Sequence, residues 1–286
     1  MYNYIRGEMM LLIKNLKKAY ENFNLNIDYF NIEKGKVVAL VGRNGVGKST
    51  TIKSIMGLIK YDSGEIFIDR QKVKSDDASI KQYIGYIPEN INFYQNVKGK
   101  DVAEFLKKCY ENWDSNLFCK LCERFKIDLN KRIKELSKGN IVKMFLVFAV
   151  SHHPRLLILD EPTSGLDPIV RNQILEYLEE LVLNEKTSIL FSSHIMDDVN
   201  KIADRVVYIN NGKIILSEDK AKIINNYRVI KYNDSNEPIP QHAIAIYKNQ
   251  IMVDCTKNNN IKEKSVDAKP VDLDKVLEFI VEGKMI

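Results

Sequence analysis

Short apolar runs bounded by turn residues alternate along the chain with stretches whose apolar positions recur every three or four residues, the pattern of strands and helices following one another in an α/β protein. Residues 11–13 and 25–32 read as strands, the second with alternating sides. Glu33-Lys34-Gly35-Lys36 then turns the chain into Val37-Val38-Ala39-Leu40-Val41, apolar on both faces as a central parallel strand must be. A helix is predicted from Lys48 to about residue 58, and short strands at 65–68 and 83–87. From 100 to 153 the helical period takes over. Strand signals return at 156–159, 188–191, 206–209 and 214–217, with an amphipathic helix at 167–183 among them. Beyond 217, strand-like runs at 229–232, 243–247 and 251–255 lead to a last amphipathic helix at 273–281, and Asn258-Asn259-Asn260 reads as loop. The sum is an α/β sheet with a helical insert, followed by a small α+β piece.

Composition narrows this picture. The 286 residues are 45% hydrophobic and 28% charged, which excludes wholesale disorder and supplies a sizeable core. The formal net charge is +5, and the basic excess sits in the first hundred residues. So mild a bias suits an anionic ligand or membrane surface and makes no case for nucleic acid. Apolar stretches fall far short of the ~18–20 residues that cross a bilayer; the longest, 144–150, fits a buried helix. The run at 9–13 is too short for the core of a secretory signal, and the residues before Met9, readable as a leader from an upstream start, receive no role. Four cysteines form no disulfide framework in a chain of this length and point to a reducing cytoplasm. Cys119-x-x-Cys122 stands without a second pair, so it reads as a half-buried helical pair rather than half of a zinc site.

One segment carries chemistry by itself. Gly42-Arg43-Asn44-Gly45-Val46-Gly47-Lys48-Ser49-Thr50 fits Gly, any four residues, then Gly-Lys-Ser/Thr, and it stands between a buried strand and a helix. The glycines let the backbone curl so that successive N–H groups face anionic oxygens. Lys48 brings a point charge to the β- and γ-phosphates of a nucleoside triphosphate, Ser49 offers a hydroxyl to Mg²⁺, and the helix that starts there adds its positive dipole end. Further on, Leu156-Leu157-Ile158-Leu159-Asp160-Glu161 is an apolar strand ending in two acids. On a strand beside the phosphate loop, Asp160 would hold the Mg²⁺, and Glu161, one residue on and differently directed, could polarise an attacking water.

Asp160-Glu161-Pro162-Thr163-Ser164-Gly165-Leu166-Asp167-Pro168 resembles the Walker B and D-loop region of the ATP-binding-cassette (ABC) ATPases, and the likeness runs over about residues 10–217 with the family's motifs in order. The resemblance implies a P-loop (RecA-like) ATP-binding core with an antiparallel β subdomain and an α-helical subdomain inserted at about 96–153. It divides the chain into a cassette, 1–217, and a C-terminal extension of unassigned role, 218–286. It implies that Tyr20 stacks on the adenine of ATP, that His194 in Ser192-Ser193-His194 contacts the γ-phosphate, and that Asp167 communicates across a dimer. Glu161, His194 and Lys48 are then the catalytic residues. Ser137 and Gly139, in Leu136-Ser137-Lys138-Gly139-Asn140, are the signature residues that would meet the γ-phosphate of a partner's ATP. That stretch departs from the family's usual Leu-Ser-Gly-Gly-Gln at Lys138 and Asn140. A second departure follows Tyr86-Ile87-Pro88, where Glu89 replaces the usual Gln; its carboxylate can still serve Mg²⁺ as an oxygen ligand. His152 and His153 match no motif and are expected to be exposed at a helix end.

Since the signature completes a partner's site, the resemblance implies two cassettes, identical or paralogous, closing on two Mg-ATP and driving a separate membrane permease. The departures resemble bacterial ABC-2, exporter-type single-cassette ATPases (bacitracin-resistance-like, YtrB-like and peptide-toxin exporter branches). Such a chain would be cytoplasmic, held at the inner face of the membrane through its permease, with 90–113 as the docking surface and Trp113 either a contact or core. No nucleic-acid partner is expected. The alternative readings are a soluble ABC ATPase acting on nucleic acid or ribosomes, and a catalytically weak regulatory cassette. The single phosphate loop argues against the first, and Lys48, Asp160, Glu161 and His194 together argue against the second.

Overall fold

The computed structural model describes residues 9–73, 78–91, 95–231, 239–240, 242–255 and 269–286. Residues 1–8, 92–94, Tyr232 and Asn258-Asn259-Asn260 lie outside the described residues. The chain opens as a long antiparallel hairpin, β1 (Met9–Tyr20) and β2 (Phe23–Glu33), then enters β3 (Val37–Val41) and helix α1 (Lys48–Ile55). Two strands, β4 (Ser63–Ile68) and β5 (Gln71–Lys72), join the hairpin in an antiparallel sheet of order β2-β1-β4-β5. After α2 (Ala78–Lys81) and β6 (Ile84–Ile87) come three helices, α3 (Gly99–Cys109), α4 (Ser115–Phe125) and α5 (Lys138–Val150). The main sheet is completed by β7 (Leu156–Asp160), helix α6 (Pro168–Glu185), β8 (Ser188–Ser193), helix α7 (Met196–Ile202), β9 (Arg205–Asn210) and β10 (Lys213–Asp219). Its order is β10-β9-β3-β8-β7-β6, parallel throughout except for the β10 edge. The tail folds as α8 (Lys220–Asn226), β11 (Tyr227–Lys231), β12 (Ala243–Tyr247), β13 (Gln250–Asp254), β14 (Lys269–Pro270), α9 (Leu273–Glu282) and β15 (Lys284–Met285), its strands paired antiparallel.

β1 is far longer than the strand read at 11–13. Its pairing with β4 shifts register between Lys14 and Lys17, and Asn15 takes a left-handed backbone with φ 50°. Such a bulge breaks the two-residue alternation that marks a strand in sequence. β10 likewise runs on to Asp219, past the expected division at 217.

Alternation across the central sheet makes two cores. Val38, Leu40, Leu156, Ile158, Leu190 and Val207 cluster with α1 and the antiparallel sheet. Their neighbours Val37, Ala39, Leu157, Leu159, Phe191 and Tyr208 cluster with α3 to α7. Burying both faces is what makes a parallel strand apolar throughout. The second core continues without a break into the tail through Val229, Ala245, Met252, Leu273 and Phe279. Tyr208, wholly buried on β9, donates its hydroxyl to Leu273 O at 3.0 Å, so its polar tip is satisfied inside that layer.

The histidine expectation divides. His153 is exposed, its Nε2 3.1 Å from Asp114 Oδ2. His152 is buried, stacked on Tyr110 with ring centroids 3.9 Å apart, and its Nε2 lies 3.3 Å from Ile84 O. The correction has a simple cause: two residues past α5 the chain points His152 inward at α3's end. Trp113 is half-buried and packs on Phe118 and the second core. Cys122 is buried, which pushes its thiol up to about 12, while Cys119 is exposed. Among the described residues no helix is long and apolar enough to cross a membrane.

Candidate nucleotide site

β3 ends at the sheet's carboxyl edge, and the loop that leaves it is fixed by its glycines. Gly47 has φ 116°, a conformation closed to ordinary side chains, and a Cβ on Gly42 would stand 2.5 Å from Ile209 O. The loop's first turn therefore lies flush on β9. Lys48, first residue of α1, donates Nζ to Gly42 O at 2.7 Å and to Arg43 O at 3.0 Å. The same amine lies 3.1 Å from Glu161 Oε1, and both side chains are only 5% exposed. A buried ammonium held by its own loop is poised for an anion in front of it.

The carboxylate strand β7 ends beside the phosphate loop, although β8 lies between β3 and β7 in the sheet. This places Ser192 in register with Asp160. Ser192 Oγ donates to Asp160 Oδ1 at 2.6 Å and accepts the Glu161 N–H at 2.8 Å. Ser49 Oγ reaches the same Asp160 oxygen at 3.2 Å. Sequence reasoning treated Ser192 only as part of the histidine motif; its role depends on strand order, which no local pattern contains.

Glu161 itself sits at φ 50°, a left-handed backbone rare for a non-glycine residue. The bend turns its carboxylate away from Asp160 and toward His194, whose Nδ1 stands 2.8 Å from Glu161 Oε2. An ionised carboxylate only accepts, so Nδ1–H donates and Nε2 is left for another partner. The loops bearing Glu161 and His194 are tied together below the surface. Buried Asp198, on α7, accepts from Thr163 Oγ1 and from Arg171 Nε on α6.

A cavity of about 300 Å³ opens over the phosphate loop, within the range of small-ligand sites. Asn44, Gly45, Gly47, Lys48, Ser49, Thr50, Glu161 and Glu89 line it, together with Phe23. Of the aromatic residues nearby, then, Phe23 forms the wall. Tyr20 is 46% exposed and outside that wall, with its ring centroid 6.4 Å from that of Phe23. Phe23 follows a tight turn after β1, and no sequence motif marks it. Val46 packs on the first core, and Arg43 turns its guanidinium to Glu282 rather than into the cavity.

Ser137 and Gly139 are not among the cavity's lining residues. Ser137 caps α5 by accepting Asn140 N–H at 3.3 Å, and Gly139 packs against Val170 of α6. Asp167 caps α6 in the same manner, accepting from Ile169 N and Val170 N. As for a metal, no group of three or more His, Cys, Asp or Glu among the described residues could hold one. Ser49 and Asp160 nevertheless converge as hard oxygen donors beside the cavity, with Glu89 on its wall. This sparse oxygen set fits Mg²⁺, which takes one or two protein ligands and completes its shell with phosphate and water.

A glycine-shaped anion loop ahead of a helix, backed by an Asp-Glu pair and a histidine at the ends of the next two strands, defines a P-loop nucleotide-binding cassette. The family model for ABC transporters matches residues 25–164. The chain is 31% identical over 219 residues to the ABC transporter ATP-binding protein YtrB of Bacillus subtilis (strain 168), covering 76% of this chain and 75% of YtrB. It is 36% identical to the lantibiotic transport ATP-binding protein SrtF of Streptococcus pyogenes, over 76% of this chain and 96% of SrtF. It is also 35% identical to the linearmycin resistance ATP-binding protein LnrL of Bacillus subtilis (strain 168), over 72% and 68%. A solved ATP-binding subunit of an ABC transporter superposes with TM-score 0.68 at 30% identity, over 75% of this chain and 91% of that one. The cassette MJ0796, solved as a post-hydrolysis dimer bound to ADP and Pi, shares the fold with TM-score 0.66 at 23% identity, over 73% and 98%. The chain belongs to the ABC transporter ATP-binding proteins and is an ATPase of that family.

Proposed function

We propose that this ATPase works as a dimer of cassettes closed around two Mg-ATP, and that closure and release drive a separate membrane permease in export. The carrying observation is the position of Glu161: its carboxylate lies between Lys48 Nζ and His194 Nδ1, buried, directly over the phosphate loop. In this reading Lys48 leaves Glu161 for the β- and γ-phosphates, and the freed carboxylate accepts a proton from the attacking water. His194, already oriented through Nδ1, offers Nε2 toward the γ-phosphate. Ser49 and Asp160 hold Mg²⁺, which when bound neutralises phosphate charge, and Glu89 adds an oxygen donor at the cavity wall.

The signature supports the dimer. Ser137 and Lys138 are exposed at the start of α5, apart from the chain's own cavity, where the helix's positive end is open to a second nucleotide. Export and the membrane-bound position rest on the relatives named for lantibiotic transport and linearmycin resistance. The helical layer of α3, with Phe105 exposed, is the surface offered to the permease. The test is Glu161→Gln: hydrolysis should fall by at least about a hundredfold, the size of a lost general base, while ATP still converts monomer to dimer by light scattering. Full-speed turnover by a dilute monomer, or no ATP-dependent dimer, overturns the proposal.

A further inference from the structure

The phosphate loop has a partner far away in sequence. Arg43 Nη2 donates to Glu282 Oε1 at 2.5 Å, a contact between residue two of the motif and the last residue of α9. The backbone at each end of this contact is held in place. α9 is fixed on β9 at both ends, by Tyr208 hydroxyl to Leu273 O at 3.0 Å and Asn210 Nδ2 to Ile280 O at 3.4 Å. Its apolar face, Leu273, Val276, Phe279 and Ile280, is buried in the second core. The strand that carries α9 also backs the loop, because Gly42 lies against Ile209 O. Arg43's carbonyl, in turn, holds Lys48 Nζ at 3.0 Å. A continuous line of contacts thus joins Glu282 to Arg43 and Arg43 to the amine that awaits the phosphates.

We infer that Glu282 is a positioning residue of the nucleotide site, acting through Arg43, so that the C-terminal extension sets the affinity of the phosphate loop for ATP. The inference rests on ATP binding at that loop and goes beyond it in giving the tail a role there. Two physical effects compete when Glu282 is removed. Freeing a guanidinium near the phosphates would tighten binding through charge, an effect that salt abolishes. Loosening the turn whose carbonyls hold Lys48 would weaken binding by loss of preorganisation, and salt would leave that intact. The pair is half-exposed, so its own Coulomb attraction is small. The anchored geometry makes the second effect the larger.

The experiment uses the full chain and titrates a fluorescent N-methylanthraniloyl ATP with Mg²⁺ at low and at high salt. Variants are Glu282→Gln, Arg43→Gln and the double. Each single change should weaken binding two- to fourfold at both ionic strengths, and Glu282→Gln should keep kcat at saturating ATP within twofold of the parent. The double should be no weaker than the weaker single. Melting temperatures unchanged across the set exclude a general loss of fold, and Glu282→Asp, which keeps the charge, should recover part of the affinity. Parent protein that binds while Glu282→Gln binds equally well or tighter, or single effects that multiply in the double, overturns this inference alone. Parent protein that fails to bind the probe removes the nucleotide reading beneath it as well.

Discussion

Ser192 gives its hydroxyl hydrogen to Asp160 across the β7–β8 register, at 2.6 Å, and with the same oxygen receives the amide of Glu161. One hydroxyl therefore sets both acids of the site. Ser192→Ala leaves a buried N–H unpaired and the Asp160 carboxylate held by Ser49 alone, a loss of about 1–3 kcal/mol in stability. The expected kinetic outcome is a fall in kcat of tenfold or more with nucleotide affinity within threefold. Ser192→Thr, which keeps the hydroxyl, should restore most of the rate; equal damage from both variants would show that the hydroxyl is not what matters.

Phe23 and Tyr20 make opposite predictions about the base. If the adenine lies against the cavity wall, Phe23→Ala removes a stacking surface worth about 1–3 kcal/mol, roughly five- to 150-fold in affinity. Tyr20→Ala should cost less than Phe23→Ala, because its ring stands outside that wall. Calorimetric titration of both variants with ATP decides the order, and the reverse order would return the adenine contact to Tyr20.

Asp198 braces the loops that bear Glu161 and His194 from below. Asp198→Asn keeps its shape but takes the charge from Arg171, whose other acidic neighbour, exposed Asp197, is 3.8 Å away. A destabilisation of about 2–4 kcal/mol is expected from leaving that guanidinium poorly paired. Urea unfolding measures it, and a change below ~0.5 kcal/mol would mean that the network carries little.

His152 links stability to acid. Burial lowers its pKa from 6.5 to about 4, so the unfolded chain binds a proton that the folded chain refuses. Its contribution is complete above pH 6.5, shrinks as pH falls, and is gone below about 4. The amount is on the order of 3 kcal/mol across that window. His152→Phe keeps a ring against Tyr110 and cannot titrate. The parent's unfolding free energy should therefore drop more steeply than the variant's between these limits, and parallel curves would refute the assignment.

What the sequence exposed and what it hid follow from locality. Gly42 to Thr50 and Asp160-Glu161 are legible because their chemistry is contained in a few consecutive residues and the strand before them. The α/β alternation is legible because Val37 to Val41 and Leu156 to Leu159 are buried on both faces. Ser192 was hidden because its partner lies one strand away, and strand order has no signature in a single chain. His152 was hidden because what it stacks on is Tyr110, a residue just past the end of α3 and far away in sequence. The full reach of β1 was hidden by one bulge at Asn15. Glu282 was least accessible of all, since its meeting with Arg43 requires the entire tail to fold back.

The unbroken apolar layer from Phe191 through Tyr208 to Phe279 has a consequence for anyone who would shorten or swap the tail. Cutting at 217 severs β10 before its end and strips the cover from Tyr208, leaving oily surface that invites clumping. Calorimetry of the intact chain should accordingly record a single endotherm, and a trimmed version should be recovered mainly as aggregate.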